Sequence, residues 1–321
     1  MSFWEGRKVL VTGCTGFLGW WLTSELVRHK AEVTGLVRDL TPQAPFFAKG
    51  MDKKINMVRG TIEDYDTVER AINEYEIDTV FHLAAQAIVG VANRNPMSTF
   101  EANIKGTWIV MEACRQNKLV SRVVVASSDK AYGNHEVLPY NEDFALQGSH
   151  PYDVSKSCAD LIALTYHNTY GTPVCVTRCG NLFGPGDMNF NRIIPGTMQS
   201  IMKNQNPVIR SDGSPMRDYV FVLDIARAYM MLAEHMDDKS IHGTAFNFGT
   251  GEPVSVLELT EKILKVAGRE DLKPDVQNSA HGEILHQYLS STKAREVLGW
   301  EPAASLSDRL QETFDWYREN A

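Results

Sequence analysis

Apolar residues in the first half of the chain fall into short runs at 8–12, 32–37, 79–83 and 122–126, and stretches of helical spacing at 19–30, 65–74, 99–116 and 153–170 alternate with them. A further apolar run at 173–178 closes the series. Strands alternating with helices predict crossover connections, and these predict a parallel sheet with helices on both faces. The expected fold class is therefore α/β, with a doubly wound parallel sheet. Beyond residue 181 the pattern is less regular and richer in Pro and Gly, with helices expected at 194–203, 223–235, 256–267, 291–298 and 305–319. The chain is expected to divide into residues 1–180, carrying the sheet, and residues 181–321, a smaller C-terminal α/β lobe, with strand exchange between the two. No internal repeat, low-complexity tract or long linker interrupts it.

At 321 residues the chain is long enough to bury a full core. Its 40 acidic and 32 basic residues leave a net charge of -8, which advertises no basic surface and weighs against a nucleic-acid partner. Cys14, Cys114, Cys158, Cys175 and Cys179 form no C-x-x-C pair and have no His cluster beside them, so neither a metal site nor a disulfide framework is expected. The N-terminus runs straight into a strand without a signal-peptide pattern, and no stretch approaches the roughly 20 apolar residues of a membrane span. A cytoplasmic protein with reduced thiols is expected.

Candidate chemistry begins at Gly13, Gly16 and Gly19, spaced by three between the first strand and the first helix. Glycine permits positive φ and close backbone approach, and a helix N-terminus offers free N–H groups, so the loop suits a dinucleotide pyrophosphate. The end of the second strand selects between NAD and NADP. There the sequence reads Val37-Arg38-Asp39, with valine where an acid would bond the ribose, and Arg38 leans the choice toward NADP. The alternative is that Arg38 stacks on adenine or pairs with Asp39.

Tyr152 and Lys156 are four residues apart at an expected helix start, hence on one face. An ammonium beside a phenol favours phenolate and is expected to draw the tyrosine below its usual value near 10. Such a tyrosine takes a proton from a sugar hydroxyl as hydride leaves the same carbon. Ser128, at the end of the strand run 122–126, completes the set.

These features occur within an ordered series: T-G-x-x-G-F-L-G at 12–19, H-L-A-A-Q at 82–86, N-x-x-G-T at 103–107, Tyr152-x-x-x-Lys156 and R-D-Y-V-F-V at 217–222. The chain resembles the extended short-chain dehydrogenase/reductase superfamily, and within it the nucleotide-sugar epimerases and dehydratases, from residue 8 to residue 317. The resemblance implies a Rossmann-type sheet and a tightly bound NAD(P)+. It assigns Gly13, Thr15, Gly16, Phe17, Leu18, Gly19, Arg38, Thr61, Ile62, Leu83, Ala84, Ala85, Asn103, Tyr152 and Lys156 to the cofactor. It also implies that Ser128 and Tyr152 orient and deprotonate the substrate hydroxyl, and that Lys156 holds the nicotinamide ribose.

Asp129-Lys130 follows Ser128 directly. Epimerases of the superfamily usually lack an acid there, whereas an Asp-Lys pair resembles that of the CDP-glucose 4,6-dehydratases. The implied reaction converts a nucleotide hexose to its 4-keto-6-deoxy product with internal hydride recycling. The alternatives are a 4-epimerase and an NADPH-dependent ketoreductase. Once C4 is a ketone the C5 proton is acidic, so a base can take it while an acid protonates the departing C6 hydroxyl. Asp129 would be that acid. Lys130 would be the base or would stabilise the enolate, with Glu136 or Glu142 as other proton carriers. A solvent-facing ion pair at a loop is the competing reading of Asp129-Lys130.

For the nucleotide-sugar substrate the resemblance nominates Gln86, Asn181, Arg192, Arg217 and Glu283, with Arg217 toward the diphosphate. The sequence departs from family habit at Gly60-Thr61-Ile62, which leaves adenine to backbone groups or Asp64, and at His286, where an arginine is usual. His82 is expected to be a packed structural histidine. Helices like those at 99–116 and 153–170 form a four-helix interface in relatives, so a homodimer is expected by analogy.

Overall fold

The strand Lys8–Thr12 (β1) lies inside a seven-stranded sheet, between Glu32–Val37 (β2) and Thr79–His82 (β4). Asn56–Arg59 (β3) extends the sheet beyond β2, and Arg122–Ala126 (β5) and Val174–Cys179 (β6) extend it beyond β4. The strand Thr244–Phe248 closes the β6 edge, and every pairing in the sheet is parallel. These positions come from a computed structural model, which describes residues 2–279 and 284–320.

Side chains alternate between faces along each strand, and the two cores follow that alternation. Val9, Val11 and Val124 belong to one core, while Leu10, Val123 and Val125 belong to the other. Burying each such side chain contributes about 1.5–3 kcal/mol, which is why these strands read as continuous apolar runs rather than alternating ones. On the first face the helix Phe17–Arg28 packs against Val222–His235. On the second, Tyr65–Glu74 packs against Gly106–Gln116, and Gly106–Gln116 against Pro151–Tyr170.

The second half of the chain contributes to two places. Thr244–Phe248 and Val222–His235 join the large sheet and its helical layer. Thr292–Leu298 also packs against Thr244–Phe248, with Ala294 and Leu298 in the first core, and most of the remainder builds a smaller unit with its own core around Phe183, Ile194, Met198, Leu259 and Ile263. Within it Asn181–Phe183 pairs with Tyr219–Phe221, and the short strand Met216–Arg217 lies between Val254–Ser255 and His286–Gln287.

The expected helix over 99–116 is not continuous. Pro96–Phe100 passes through a π-helical segment, Glu101–Lys105, before the α-helix Gly106–Gln116. The wide turn coincides with Asn103, whose side chain holds the backbone of Gln86 from both sides: Nδ2 donates to its carbonyl at 3.0 Å and Oδ1 accepts from its N–H at 2.7 Å. His82 sits as expected for a packed residue, with its two ring nitrogens 2.8 Å from the Thr12 hydroxyl and 3.1 Å from that of Thr107. Burial pushes its pKa down to about 3. Among the described residues no helix is long and apolar enough to cross a membrane.

Candidate active site

Thr12, Val37, His82, Ala126 and Cys179 end their strands on one side of the sheet, and a single cleft of about 1610 Å³ opens there. Drug-sized ligands fill sites of about 300–1,000 Å³, so this cleft has room for two such molecules end to end.

At one end the backbone turns from β1 into the helix Phe17–Arg28 through Gly13, Gly16 and Gly19. Gly13 has φ +73°, and a Cβ there would lie 2.7 Å from the Ala84 amide nitrogen. A Cβ on Gly19 would come within 2.0 Å of the Gly13 carbonyl oxygen. The first glycine therefore permits the turn and the third permits the helix to pack against it, which leaves the helix N-terminus open to the cleft. Thr15, Phe17, Leu18, Arg38, Thr61, Ile62, Leu83, Ala84 and Ala85 line the same end. Arg38 donates to Asp39 at 2.7 Å, both side chains being exposed. Asp64 is turned away as the cap of the next helix, accepting from the Thr67 hydroxyl at 2.6 Å, and Glu63 lines the cleft in its place. The buried Glu63 Oε2 has no hydrogen-bond partner.

At the centre β5 ends in Ala126, and Ser127 leads to Ser128. The Ser128 hydroxyl caps the following short turn by accepting from the Lys130 N–H at 3.2 Å, donates to Asp129 Oδ1 at 3.0 Å, and is hydrogen-bonded to the Tyr152 phenol. Asp129 Oδ2 meets Lys130 Nζ at 2.8 Å, with the two side chains 3% and 22% exposed. The exposed-pair reading of Asp129-Lys130 is thereby overturned: the carboxylate is inside the protein and the ammonium faces the cleft.

Pro151 opens the helix Pro151–Tyr170, where its missing N–H costs nothing. Tyr152 and Lys156 both reach the cleft from its first turns. Lys156 Nζ donates to the Ala126 carbonyl at 2.7 Å, and burial lowers its pKa to about 8. Tyr152 departs from the expectation. Its pKa is pushed up to about 12, because loss of solvent around the phenol outweighs the Ser128 hydrogen bond and the neighbouring Asp129 adds to the rise. Lys156 is turned to a backbone carbonyl and does not offset this.

At the far end Asn181, Arg192 and Arg217 line the cleft. Arg192 pairs with the buried Asp187 at 3.1 Å. The Arg217 guanidinium donates to the carbonyls of Met216, Ile284 and Leu285, so its charge is unneutralised by any carboxylate among the described residues. Glu283 lies outside the described residues.

Two nominated residues do not line the cleft. Asn103 is occupied by Gln86 and by the Ser155 hydroxyl, and the Gln86 side chain folds onto the backbone of Ile88. Glu136 and Glu142 are also outside it: Glu136 is on the surface, and Glu142 accepts from the Asn247 N–H at 2.8 Å. The lining also includes His150, Asp153, Arg210 and Gln287, which the sequence motifs do not mark. Asp153, next to Tyr152 and Oδ2 3.3 Å from His150 Nδ1, was findable from helical adjacency alone.

A glycine-cradled cleft at the carboxyl edge of a parallel sheet, with serine, tyrosine and lysine converging on it, defines an extended short-chain dehydrogenase/reductase. The family model described as GDP-mannose 4,6 dehydratase matches residues 10–313, and the chain belongs to that family. It is 31% identical to CDP-glucose 4,6-dehydratase of Salmonella typhimurium over 99% of this chain and 92% of the relative. Among solved structures, a dTDP-glucose 4,6-dehydratase double mutant from Streptomyces venezuelae with NAD bound has a TM-score of 0.87 at 28% identity, covering 98% of each chain. UDP-glucose 4-epimerase from Thermotoga maritima with UDP-glucose has a TM-score of 0.89 at 27% identity, covering 97% of this chain and 99% of that one.

Proposed function

We propose that the protein is a nucleotide-hexose 4,6-dehydratase that uses a bound NAD(P)+ and takes CDP-glucose as its first substrate to try. The observation that carries the reading is the Asp129–Lys130 pair, its carboxylate buried and hydrogen-bonded to Ser128. An epimerase, which moves no proton at C5 and expels no hydroxyl, has no use for such a pair.

The residues fit the cofactor: Gly13 and Gly19 permit the tight turn that leaves the helix N-terminus open to the cleft, the adenine end has the unpartnered acceptor Glu63 Oε2, and Lys156 lies within the cleft. When bound, the cofactor supplies the hydride acceptor and donor. Val37 and Arg38 lean the choice toward NADP+, although Arg38 must share its charge with Asp39.

Tyr152 takes the C4 hydroxyl proton of the sugar, with Ser128 orienting that hydroxyl. Because the free phenol is pushed up to about 12, it needs positive charge beside it to act near neutral pH, and Lys156 is the group of this chain that can turn from Ala126 to give it. Asp129 protonates the departing C6 hydroxyl, and Lys130 takes the C5 proton or holds the enolate oxygen. Arg217 serves the diphosphate, Arg192 the nucleotide half, and Asn181 a phosphate or ribose oxygen.

The second reading, a 4-epimerase, is favoured by the similarity to the Thermotoga enzyme. One assay separates the two: incubation with CDP-, UDP-, GDP- and dTDP-glucose followed by mass spectrometry. Loss of water supports the dehydratase, whereas a product of unchanged mass rejects it.

A homodimer belongs to the same proposal. Met97, Trp108 and Leu161 are 75%, 44% and 54% exposed on the helices Pro96–Phe100, Gly106–Gln116 and Pro151–Tyr170, an apolar set suited to cover by a second copy. Sedimentation equilibrium should return twice the chain mass of 36.0 kDa, and Trp108→Glu should return it to one.

A further inference from the structure

Lys130 has a partner that the reaction scheme leaves unused. Its Nζ donates both to Asp129 Oδ2 and to the side-chain oxygen of Gln287. Gln287 is 0% exposed, and its Nε2 donates to the Asp129 carbonyl at 3.1 Å and reaches the Gly133 carbonyl at 3.5 Å. One amide thus grips the catalytic turn through its backbone and the lysine through its side chain. Gln287 comes from the smaller unit, on the two-residue strand His286–Gln287, and in that pairing it lies opposite Arg217. The strand pair that presents a cation to the cleft is therefore also the one that holds Lys130.

We propose that Gln287 is a positioning residue for the elimination half of the reaction, fixing Lys130 so that one position on its nitrogen faces the sugar. This rests on the dehydratase reading. A lysine side chain has four rotatable bonds, and an amine free to leave the C5 proton loses the gain from orientation. With two positions on Nζ tied to Asp129 and Gln287, the remaining one is directed by geometry instead of by chance. Oxidation at C4 uses Ser128, Tyr152 and Lys156, none of which hydrogen-bonds Gln287, so the two halves of the reaction should respond differently to its loss.

The test compares wild type, Gln287→Met, which keeps the volume and loses the hydrogen bonds, and Gln287→Glu, which keeps an acceptor facing Lys130. With CDP-glucose, the Met variant should lose water with kcat lower by at least about tenfold and KM within about twofold, while reduced cofactor at 340 nm accumulates to a larger fraction. The Glu variant should recover most of that kcat. Wild-type water loss in the Met variant, or equal slowing of oxidation and elimination, overturns the proposal. A second measurement needs no turnover: acetic anhydride labelling of Lys130, read by peptide mass spectrometry, should be several-fold faster in the Met variant, or in the Glu variant slower than in Met. Equal labelling in all three proteins overturns the proposal as well. If wild type releases no water from any nucleotide hexose, the dehydratase reading fails, and the labelling still decides whether Gln287 holds Lys130. Should the Met variant not fold, the Glu variant decides: its added carboxylate should move the kcat–pH profile to higher pH, and an unmoved profile rejects the contact.

Discussion

Lys156 gives its ammonium to the Ala126 carbonyl, 2.7 Å away at the end of β5, one helical turn from Tyr152. It is buried and its pKa is lowered to about 8, so below pH 8 the folded protein carries a desolvated charge that the unfolded chain does not. Between about pH 8 and the usual 10.5 the unfolded state binds more protons, and stability attributable to this residue rises with pH. Relative to Lys156→Met, wild type should gain up to about 3 kcal/mol across that window, less in practice because water and relaxation soften the burial. Urea unfolding of both proteins at pH 7, 8, 9 and 9.5 measures it; a difference that stays flat or narrows in the opposite sense excludes a buried, charge-strained Lys156.

Asp129→Asn keeps the shape of the turn and removes the proton donor. Water loss should fall by about 100-fold or more while C4 oxidation persists, so absorbance at 340 nm should rise and remain. Rapid-quench mass spectrometry with parallel absorbance follows both, and undiminished dehydration would remove Asp129 from the reaction.

Arg38 follows Val37 directly at the end of β2, and it is exposed. Arg38→Ala should weaken NADP+ by about tenfold and leave NAD+ within about twofold, as expected for one charge-assisted phosphate contact. Isothermal titration of both cofactors on both proteins gives the ratio. An equal effect on the two means that the guanidinium serves Asp39 or the adenine face.

Beneath the site, Arg178 and Asp160 form a bidentate pair, 2.8 and 3.0 Å, with side chains 4% and 0% exposed. The guanidinium also donates to the Tyr132 phenol and the Glu142 carbonyl. Asp160→Ala would strand that charge in the interior and should cost about 3–5 kcal/mol. Chemical denaturation reads this directly, and a loss below about 1 kcal/mol would mean that water reaches Arg178.

What the sequence disclosed depended on how local the cause was. β1, β2 and β5 lie on the expected residues because each centres on a buried, mostly apolar run with no competing pattern. β3 leaves no such mark: in Asn56–Arg59 only Val58 is fully buried, so the strand has no apolar run to show. Thr244–Phe248 escaped for another reason, since Asn247 sits inside it, fully buried and satisfied by Tyr132 and the Tyr140 carbonyl. The glycine loop and the Ser128, Tyr152 and Lys156 set were legible because their spacings are short. The raised value at Tyr152 was not, because desolvation is a property of everything packed around the phenol. Gln287 was hidden for the same kind of reason: nothing within its own segment marks it as a partner for a turn more than a hundred residues earlier.

The outer strand Thr244–Phe248 also sets a constraint on biosynthesis. As the chain leaves the ribosome, β6 is complete at Cys179 but its outer row of N–H and C=O groups stays unpaired until Phe248 has emerged. An open edge of this kind recruits other strands. A nascent chain halted near residue 180 should therefore be sticky rather than native, whatever the apparent boundary in its sequence.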